Sequence, residues 1–244
     1  MNKNKRVWAF TLCTALIAAL GMMFCACQST GRSREKPFDV NWDAPRIQIG
    51  EIELQLEEMA KFGKLSKASV PVYYFPDDDV VGLYYRYNYF NYYQCWDWKG
   101  RDAFCKALVS YHHDYDAREL NSSSRNSMRS YGFVVGYLVW QQLSFTLRAY
   151  ANMTMELGYG FKDRAPYFTV NQREAEYVTG QDGTEHGESG NRISEVITLY
   201  FTRAQAAKLT ELFDQDYLNG FADTKHFNFK IEYEKNDDTG RDDY

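Results

Sequence analysis

The stretch Leu143–Leu157, LSFTLRAYANMTMEL, has the most regular pattern in the chain and indicates how the body of the protein folds. Every second residue is apolar, at Leu143, Phe145, Leu147, Ala149, Ala151, Met153, Met155 and Leu157. The positions between them are polar apart from Tyr150. Successive side chains of a strand point to opposite faces, so this alternation predicts a long strand with one face buried and the other in solvent.

Further extended segments lie on both sides of this strand. The sequence predicts them at Ile47–Leu56, Val70–Phe75, Val80–Gln94, Tyr131–Trp140, Tyr167–Asn171, Ile193–Phe201 and Phe227–Tyr233. Gly50 interrupts the alternation of the first segment and indicates a bulge there, with a helix from Glu51 to Lys64 as the alternative. Tyr131–Trp140 and Leu143–Leu157 are separated by two glutamines and form either a hairpin or one bent strand.

Two helices are also predicted, each directly after an extended segment. Asp97 can cap a helix from about Lys99 to Arg118, on which Arg101 is expected to point away from the apolar face. Thr202-Arg203-Ala204-Gln205 has the residues of a capping box and opens a second helix that ends near Tyr217. Both helices carry apolar residues at helical spacing, so we expect them to pack against the sheet.

The order of these elements predicts the fold class. Seven or eight strands with two helices, and no regular strand-helix alternation, predict an α+β domain over residues 46–234. Its core is expected to be a largely antiparallel sheet of seven or eight strands with two helices packed on it. Within it, the glycine-rich segment 179–192 is expected to form a mobile loop. The charged residues 235–244 are expected to form a flexible tail.

The amino terminus carries a targeting signal. Lys3, Lys5 and Arg6 precede an apolar run that begins at Val7, which is the layout of a secretory signal. Phe24-Cys25-Ala26-Cys27, at the end of this run, resembles a relaxed lipobox of bacterial lipoproteins. The resemblance implies that residues 1–26 are removed as a signal peptide and that Cys27 is diacylated on sulfur. Ordinary cleavage to a soluble protein, or an uncleaved membrane helix, are the alternatives.

All three interpretations place the body outside the cytosol, in the cell envelope. Residues 27–45 mix Gly, Ser, Pro and charged residues and are expected to form a lipidated tether to the membrane. Without residues 1–26 the chain keeps 25 Lys and Arg against 33 Asp and Glu, a net charge of -8. This excess of acidic residues argues against nucleic acid or anionic headgroups as partners of the body.

Two cysteines remain for the body once the signal and the anchor are set aside. Cys13 and Cys25 leave with the signal peptide, and Cys27 is acylated. Cys95 and Cys105 are close in sequence and would lie in an oxidising compartment, so a disulfide between them is predicted. Two free thiols that pack as small hydrophobic side chains are the alternative.

Residues suited to catalysis or metal binding are few. His112 and Asp116 are four residues apart on the first predicted helix, beside His113, and could share a metal or act in hydrolysis. His186 and His226 are the other histidines. A solvated helix face is the favoured explanation of the cluster, because charged residues commonly line exposed helices. The chain has no HExxH motif and no phosphate-binding loop, so we expect no metal site and no cofactor, and the catalytic residues, if any, are unknown.

The aromatic band between Tyr84 and Trp98 is the better candidate for binding. Tyr and Trp offer flat apolar faces with polar tips, which suit sugar rings or a partner protein. The candidate binding residues are Tyr87, Tyr89, Tyr92, Trp96 and Trp98. Packing of the same residues in the core is the alternative.

We therefore expect a membrane-anchored envelope lipoprotein that acts as a non-enzymatic binding module. Its partners would be the membrane, through the lipid, and a glycan or an envelope protein. A structural subunit of an envelope assembly is a second possibility, and it predicts a large exposed apolar patch. An envelope hydrolase that uses His112 or His113 with Asp116 is a third.

Overall fold

The structure, a computed structural model, describes residues 40–41, 44–58, 63–124, 129–143, 148–177 and 193–222. The chain divides into two units, Met1–Pro37 and Phe38–Tyr244, and every described residue belongs to the second. Several predictions lie outside the described residues. They concern the signal peptide, Cys27, most of the tether, the loop 179–192, the strand Phe227–Tyr233, the tail 235–244, His186 and His226.

The described residues form eight strands and three helices. The strands are β1 (Ile47–Glu58), β2 (Lys64–Phe75), β3 (Val80–Tyr87), β4 (Phe90–Trp96), β5 (Ser130–Gln142), β6 (Ala149–Lys162), β7 (Ala165–Gln172) and β8 (Ile197–Phe201). The helices are α1 (Trp98–Asp116), between β4 and β5, and α2 (Arg203–Phe213) and α3 (Gln215–Ala222), after β8. None of these helices is long and apolar enough to cross a membrane.

Each strand pairs antiparallel with the next one in the chain, and β8 pairs with β1 to close a barrel. The predicted α+β class and the antiparallel sheet are confirmed, whereas the closure and the third helix were not predicted. The closing seam is short, because only Gln55 and Leu56 of β1 pair with β8. Near its start, β1 is covered by α3, where the Tyr217 hydroxyl donates a 2.8 Å hydrogen bond to the Ile49 carbonyl.

The beginning of β1 confirms the strand and its bulge. The pairing between β1 and β2 shifts by one residue between Gln48 and Gly50, as the broken alternation predicts. The alternative helix from Glu51 to Lys64 is wrong. A β-carbon at Gly50 would lie 3.0 Å from the side chain of Leu212, so glycine at the bulge lets α2 pack closely on this strand.

The predicted single strand Val80–Gln94 is wrong, because the chain turns back within it. Tyr87 pairs with Phe90, and the two-residue turn between them has Asn88 at a φ of 51°. Asparagine tolerates this left-handed conformation better than most residues, so a tight turn forms here without a glycine. β3 and β4 are therefore neighbours in the barrel.

The helices pack across one end of the barrel and fill it with aromatic side chains. Phe104 of α1 has ring centroids 5.7 Å from Trp96, 5.2 Å from Phe168 and 5.3 Å from Phe213. Asp97 caps α1 as predicted, accepting a 2.7 Å bond from the Gly100 amide. The capping box at Thr202 is confirmed, but α2 ends at Phe213 and α3 continues from Gln215.

Arg101 contradicts its prediction, because it is buried instead of pointing away from the core. Its guanidinium donates to both carboxylate oxygens of Asp79, at 3.0 and 3.1 Å, and to the side chain of Gln215 at 2.7 Å. The Tyr74 hydroxyl also donates to Asp79, and burial followed by the Asp79 carboxylate raises the pKa of Tyr74 to about 12. These contacts join α1 and α3 to the turn between β2 and β3.

The structure has Cys95 and Cys105 as two free thiols in place of the predicted disulfide. Gln94 and Trp96 point into the barrel, so the alternation of β4 turns Cys95 to the outer face, where it packs with Phe75 and Val80. Cys105 lies on α1 in the part that faces Thr210. Burial is the leading cause that raises the pKa of both thiols, and the pKa of Cys95 is raised more than that of Cys105.

Candidate functional site

The five predicted binding residues do not share a cleft. Tyr92 and Trp96 point into the barrel and are fully buried, which is the core packing considered as the alternative. Tyr87 is half-buried, and its hydroxyl donates to the Glu57 carbonyl at 3.0 Å. Tyr89 is 73% exposed in the turn after β3, and Trp98 is 58% exposed at the start of α1. β4 lies between them, so these two exposed rings are at opposite ends of the strand.

The inside of the barrel contains polar side chains that bond to one another. Gln172 accepts bonds at its Oε1 from the Tyr85 hydroxyl, at 2.7 Å, and from Gln94 Nε2, at 3.2 Å. Trp96 Nε1 donates to Gln94 Oε1 at 3.2 Å, and Gln172 Nε2 donates to the Glu195 carbonyl at 3.2 Å. Buried polar groups need such partners, so this network belongs to the core.

The barrel interior is therefore a packed core. Eight strands enclose a space that side chains are just able to fill. Trp96, Trp140, Tyr85, Tyr92 and Phe168 are among the largest fully buried side chains and occupy this space. The Tyr92 hydroxyl is less well paired, since it is buried and approaches the Glu195 backbone without a hydrogen bond of ordinary geometry. A binding site is better sought on the outer face.

The predicted histidine cluster does not assemble into a site. Burial, followed by the nearby Arg203 guanidinium, lowers the pKa of His112. Asp116 is paired with Arg203, with a distance of 3.0 Å between Oδ1 and Nη1. His113 is 74% exposed and lies 3.3 Å from Asp114. The carboxylate of Asp116 is thus already bound, and the two histidines have different surroundings.

His113, Asp114 and Glu119 place three potential metal ligand atoms within 4.8 Å of one another. Asp114 already accepts a 2.9 Å bond from the Tyr131 hydroxyl. Exposed acidic groups often cluster without a metal, and two of these three residues are exposed. This surface cluster does not identify a metal centre.

A groove on the outer face of β6, β7 and β8, here called the outer groove, is a shallow concavity formed by described residues. It consists of two cavities of about 220 and 610 Å³ that share Glu156 and Asn171. The smaller cavity lies over Gly158 and Gly160. The larger one extends towards Arg173. The lining side chains come from neighbouring strands of one rigid sheet.

Two glycines of β6 form the floor of the smaller cavity. Both take outward positions of the strand, where other residues would place a side chain. A β-carbon at Gly158 would overlap the carbonyl oxygen of Arg129, which accepts a 3.0 Å bond from the Tyr159 amide. At Gly160, a β-carbon would lie 3.4 Å from Thr169 and 3.6 Å from Tyr200, which are ordinary contact distances. The space above Gly160 therefore admits a methyl group in contact with Thr169 and Tyr200, and a larger side chain would enter the cavity.

The register of the barrel aligns four outward side chains across the outer groove. Phe133 pairs with Glu156, Glu156 with Asn171, and Asn171 with Thr198. Neighbouring strands are about 4.8 Å apart, so these side chains form one row. Phe133 faces outwards because the pairing shifts at Gly132, which has a φ of 147°. The row combines an aromatic ring with a carboxylate, an amide and a hydroxyl.

Five charged residues line the outer groove, and two of them, Glu156 and Arg173, form an ion pair, while Arg129, Glu174 and Glu176 stand outside it. Glu156 accepts a bond from Arg173 Nη2 at 3.2 Å, and the Arg173 guanidinium lies 5.6 Å from the centre of the Phe133 ring. Thr198 Oγ1 donates to Asn171 Oδ1 at 3.4 Å. The Asn171 amide nitrogen takes no part in this bond, because it is a donor and not an acceptor. The groove therefore presents neutral donors and acceptors with little net charge.

Tyr200 lines one side of the groove, and contacts with neighbouring side chains fix the position of its ring. Its hydroxyl donates to Glu57 at 3.1 Å, and Lys162 binds the same carboxylate at 2.8 Å. Lys162 Nζ also lies 5.5 Å from the centre of the Tyr200 ring. Burial and then the Glu57 carboxylate raise the pKa of Tyr200, so the hydroxyl stays protonated at neutral pH. The position of the ring is thus set by contacts from β1 and β6.

Sequence reasoning missed the outer groove, although a signal was present. The prediction ends the alternating strand at Leu157, whereas β6 continues to Lys162. The alternation continues through Tyr159 and Phe161, which pack inwards, and this places Gly158 and Gly160 at the outward positions. Glycines at polar positions of a continuing strand indicate a trough in the sheet surface.

Comparisons with known proteins give one result. A family model described as an uncharacterised Treponema protein matches residues 32–220. No curated protein and no solved structure matches the chain.

Proposed function

The chain belongs to the family described as uncharacterised Treponema protein, and from its residues and its barrel we propose a membrane-anchored cell-envelope lipoprotein that acts as a non-enzymatic binding module. One observation carries the binding role. The barrel interior is filled by its own side chains, whereas a preformed polar groove lies on the outer face. Binding sites are typically such preformed concavities with a few placed polar groups.

The anchor rests on the resemblance of Phe24-Cys25-Ala26-Cys27 to a relaxed lipobox. Acylation of Cys27 would provide two or more chains, and this is the number needed for stable attachment. The tether after Cys27 would then hold the barrel near the bilayer, within reach of envelope polymers. Because side chains fill the interior of the barrel, we expect a ligand to bind at its surface.

A role as a structural subunit is the second candidate, because apolar side chains are exposed beside the outer groove. Phe133 and Val135 are each 58% exposed on β5, and Val196 is 57% exposed at the larger cavity. Contiguous exposed apolar surface is typical of protein contacts. Sedimentation of the purified protein distinguishes the two roles, since a subunit should self-associate or co-purify with a fixed partner.

The experiment that tests the anchored module is analysis of the native protein from membranes. Mass spectrometry should find an acylated amino-terminal peptide that begins at Cys27, and the protein should partition into the detergent phase. In the variant Cys27→Ala, the amino terminus should remain intact and unacylated. An intact native chain in the soluble internal fraction would contradict the proposal, and an intact chain in the membrane would support the uncleaved helix instead.

A further inference from the structure

We propose that the outer groove binds a neutral glycan chain, an inference that rests on the binding role proposed above and names its ligand. The groove combines half-buried and buried hydroxyl and amide side chains with aromatic rings, Tyr200 in its lining and Phe133 beside it. Sugar rings present the complementary surface, since hydroxyl groups surround the ring and C–H groups form its faces. Sites that bind such ligands need both a flat apolar contact and converging polar groups.

The polar groups converge from two neighbouring strands. Thr169 and Asn171 on β7, and Thr198 on β8, line the smaller cavity beside Gly160. Their side chains supply hydroxyl and amide groups that donate and accept, as sugar hydroxyls do. Phe133 stands at the end of the row that contains Asn171 and Thr198, with its ring 58% exposed. The exposed ring offers a surface on which a sugar face can stack.

The length of the groove favours a chain over a single sugar. The smaller cavity reaches Gly160 and the larger one reaches Asn152, and both positions are on β6. The strand between them is roughly 26 Å long at about 3.3 Å per residue. The two cavities share Glu156 and Asn171, so they form one continuous path. Several linked rings can lie along it.

The charges favour a neutral ligand. Glu156 and Arg173 neutralise each other at 3.2 Å, and of the other charged lining residues the two carboxylates of Glu174 and Glu176 outnumber the one guanidinium of Arg129. The whole chain has a formal charge of -5, which disfavours approach of a polyanion. A sulfated or phosphorylated polymer would need an excess of cations along the groove, whereas a neutral glycan needs only the hydroxyl and amide groups.

The pairing of the strands argues against an extended peptide as the ligand. Peptides commonly bind a sheet by adding a strand at a free edge. Along the outer groove, β6 pairs with β5 and β7, and β7 pairs with β6 and β8. No free edge is therefore available there. A glycan binds through side chains and needs none.

Isothermal titration of the full chain in detergent tests this proposal. The probes are chitotetraose, cellotetraose and maltotetraose, with their disaccharides and with heparin as the polyanion. We expect at least one tetrasaccharide to bind, its disaccharide to bind at least tenfold more weakly, and heparin not to bind at 150 mM salt. If none of the three tetrasaccharides binds, or if heparin alone binds, the glycan proposal is overturned.

Variants assign the binding to the outer groove. Gly160→Leu fills the smaller cavity, and Asn171→Ala removes the central amide, so each should weaken tetrasaccharide binding at least tenfold. Asn91→Ala is the matched control, because it makes the same change at an outward position of β4, away from the outer groove, and it should bind within threefold of the natural protein. Circular dichroism checks that all three fold. Equal binding by all of them would overturn the assignment.

The proposed function and the glycan inference fail in different ways. If the tetrasaccharides do not bind, but a peptide from digested envelope proteins is retained and Gly160→Leu abolishes its retention, then the binding module stands and the glycan is wrong. The anchor is tested separately by the peptide that begins at Cys27, which does not depend on the ligand.

Discussion

The inside of the barrel and its outer groove use the same kinds of polar side chain for different purposes. Inside, the amide groups of Gln94 and Gln172 bond to each other and to the Tyr85 hydroxyl. In the outer groove, Asn171 and Thr198 share one long bond and keep further polar capacity at the surface. The difference shows that burial decides whether a polar group stabilises the fold or can serve a ligand.

The largest effect is expected where aromatic packing closes the barrel. Phe104→Ala removes a fully buried ring that contacts Trp96, Phe168 and Phe213, and should lower the free energy of unfolding by about 3–5 kcal/mol. Phe133→Ala, at an exposed ring beside the outer groove, should change it by less than about 0.5 kcal/mol. Urea unfolding followed by tryptophan fluorescence measures both. Equal losses of unfolding free energy would contradict the expectation that the buried ring contributes more to stability than the exposed one.

A smaller effect is expected for charged groups. Arg101→Met leaves Asp79 and Gln215 without their buried partner and should cost about 2–3 kcal/mol. This is below the usual range for a fully buried pair, because the Asp79 side chain is 38% exposed. Arg173→Met breaks an ion pair at the surface and should cost less than about 1 kcal/mol. Thermal unfolding of both variants, at low and high salt, tests the difference, and a costlier Arg173→Met would refute it.

The smallest effect separates two stacked tyrosines inside the barrel. Tyr85→Phe removes the 2.7 Å bond to Gln172 and should cost about 1 kcal/mol. Tyr92→Phe removes a buried hydroxyl that makes no hydrogen bond of ordinary geometry to a described residue, so it should cost less than Tyr85→Phe and be close to neutral. The two rings stack with their centres 5.6 Å apart, and each variant removes only a hydroxyl group, so both variants keep this aromatic packing. The order of the urea midpoints checks the prediction, and the reverse order would contradict it.

Local patterns were sufficient to predict much of the fold. Alternation along β6, the bulge at Gly50 and the caps at Asp97 and Thr202 depend on neighbouring residues, and all four are confirmed. The turn at Asn88 was missed because its conformation is unusual for a residue other than glycine and no turn motif surrounds it. Local signals indicate elements well and turns without glycine or proline poorly.

Features that depend on distant residues could not be predicted. Arg101 is buried because Asp79 and Gln215 reach it from other parts of the chain. The closure of the barrel depends on pairing between β1 and β8, for which the sequence contains no signal. The outer groove requires the register of four strands, since only the register brings Phe133 and Asn171 into one row. The sequence shows which positions are polar, but it does not show which residues lie beside them on the neighbouring strands.

The short seam between β1 and β8 determines how the chain can acquire its structure. Every other pairing joins consecutive strands, and five of these seven pairings are hairpins with connections of two to six residues, which close with little loss of loop entropy. Only the seam must bring together Gln55 and Tyr200, which are far apart in the sequence, and it offers few backbone bonds in return. The seam is therefore the pairing with the least support from backbone bonds, and the barrel relies there on α2 and α3, which follow β8 and contact β1 through Leu212 and Tyr217.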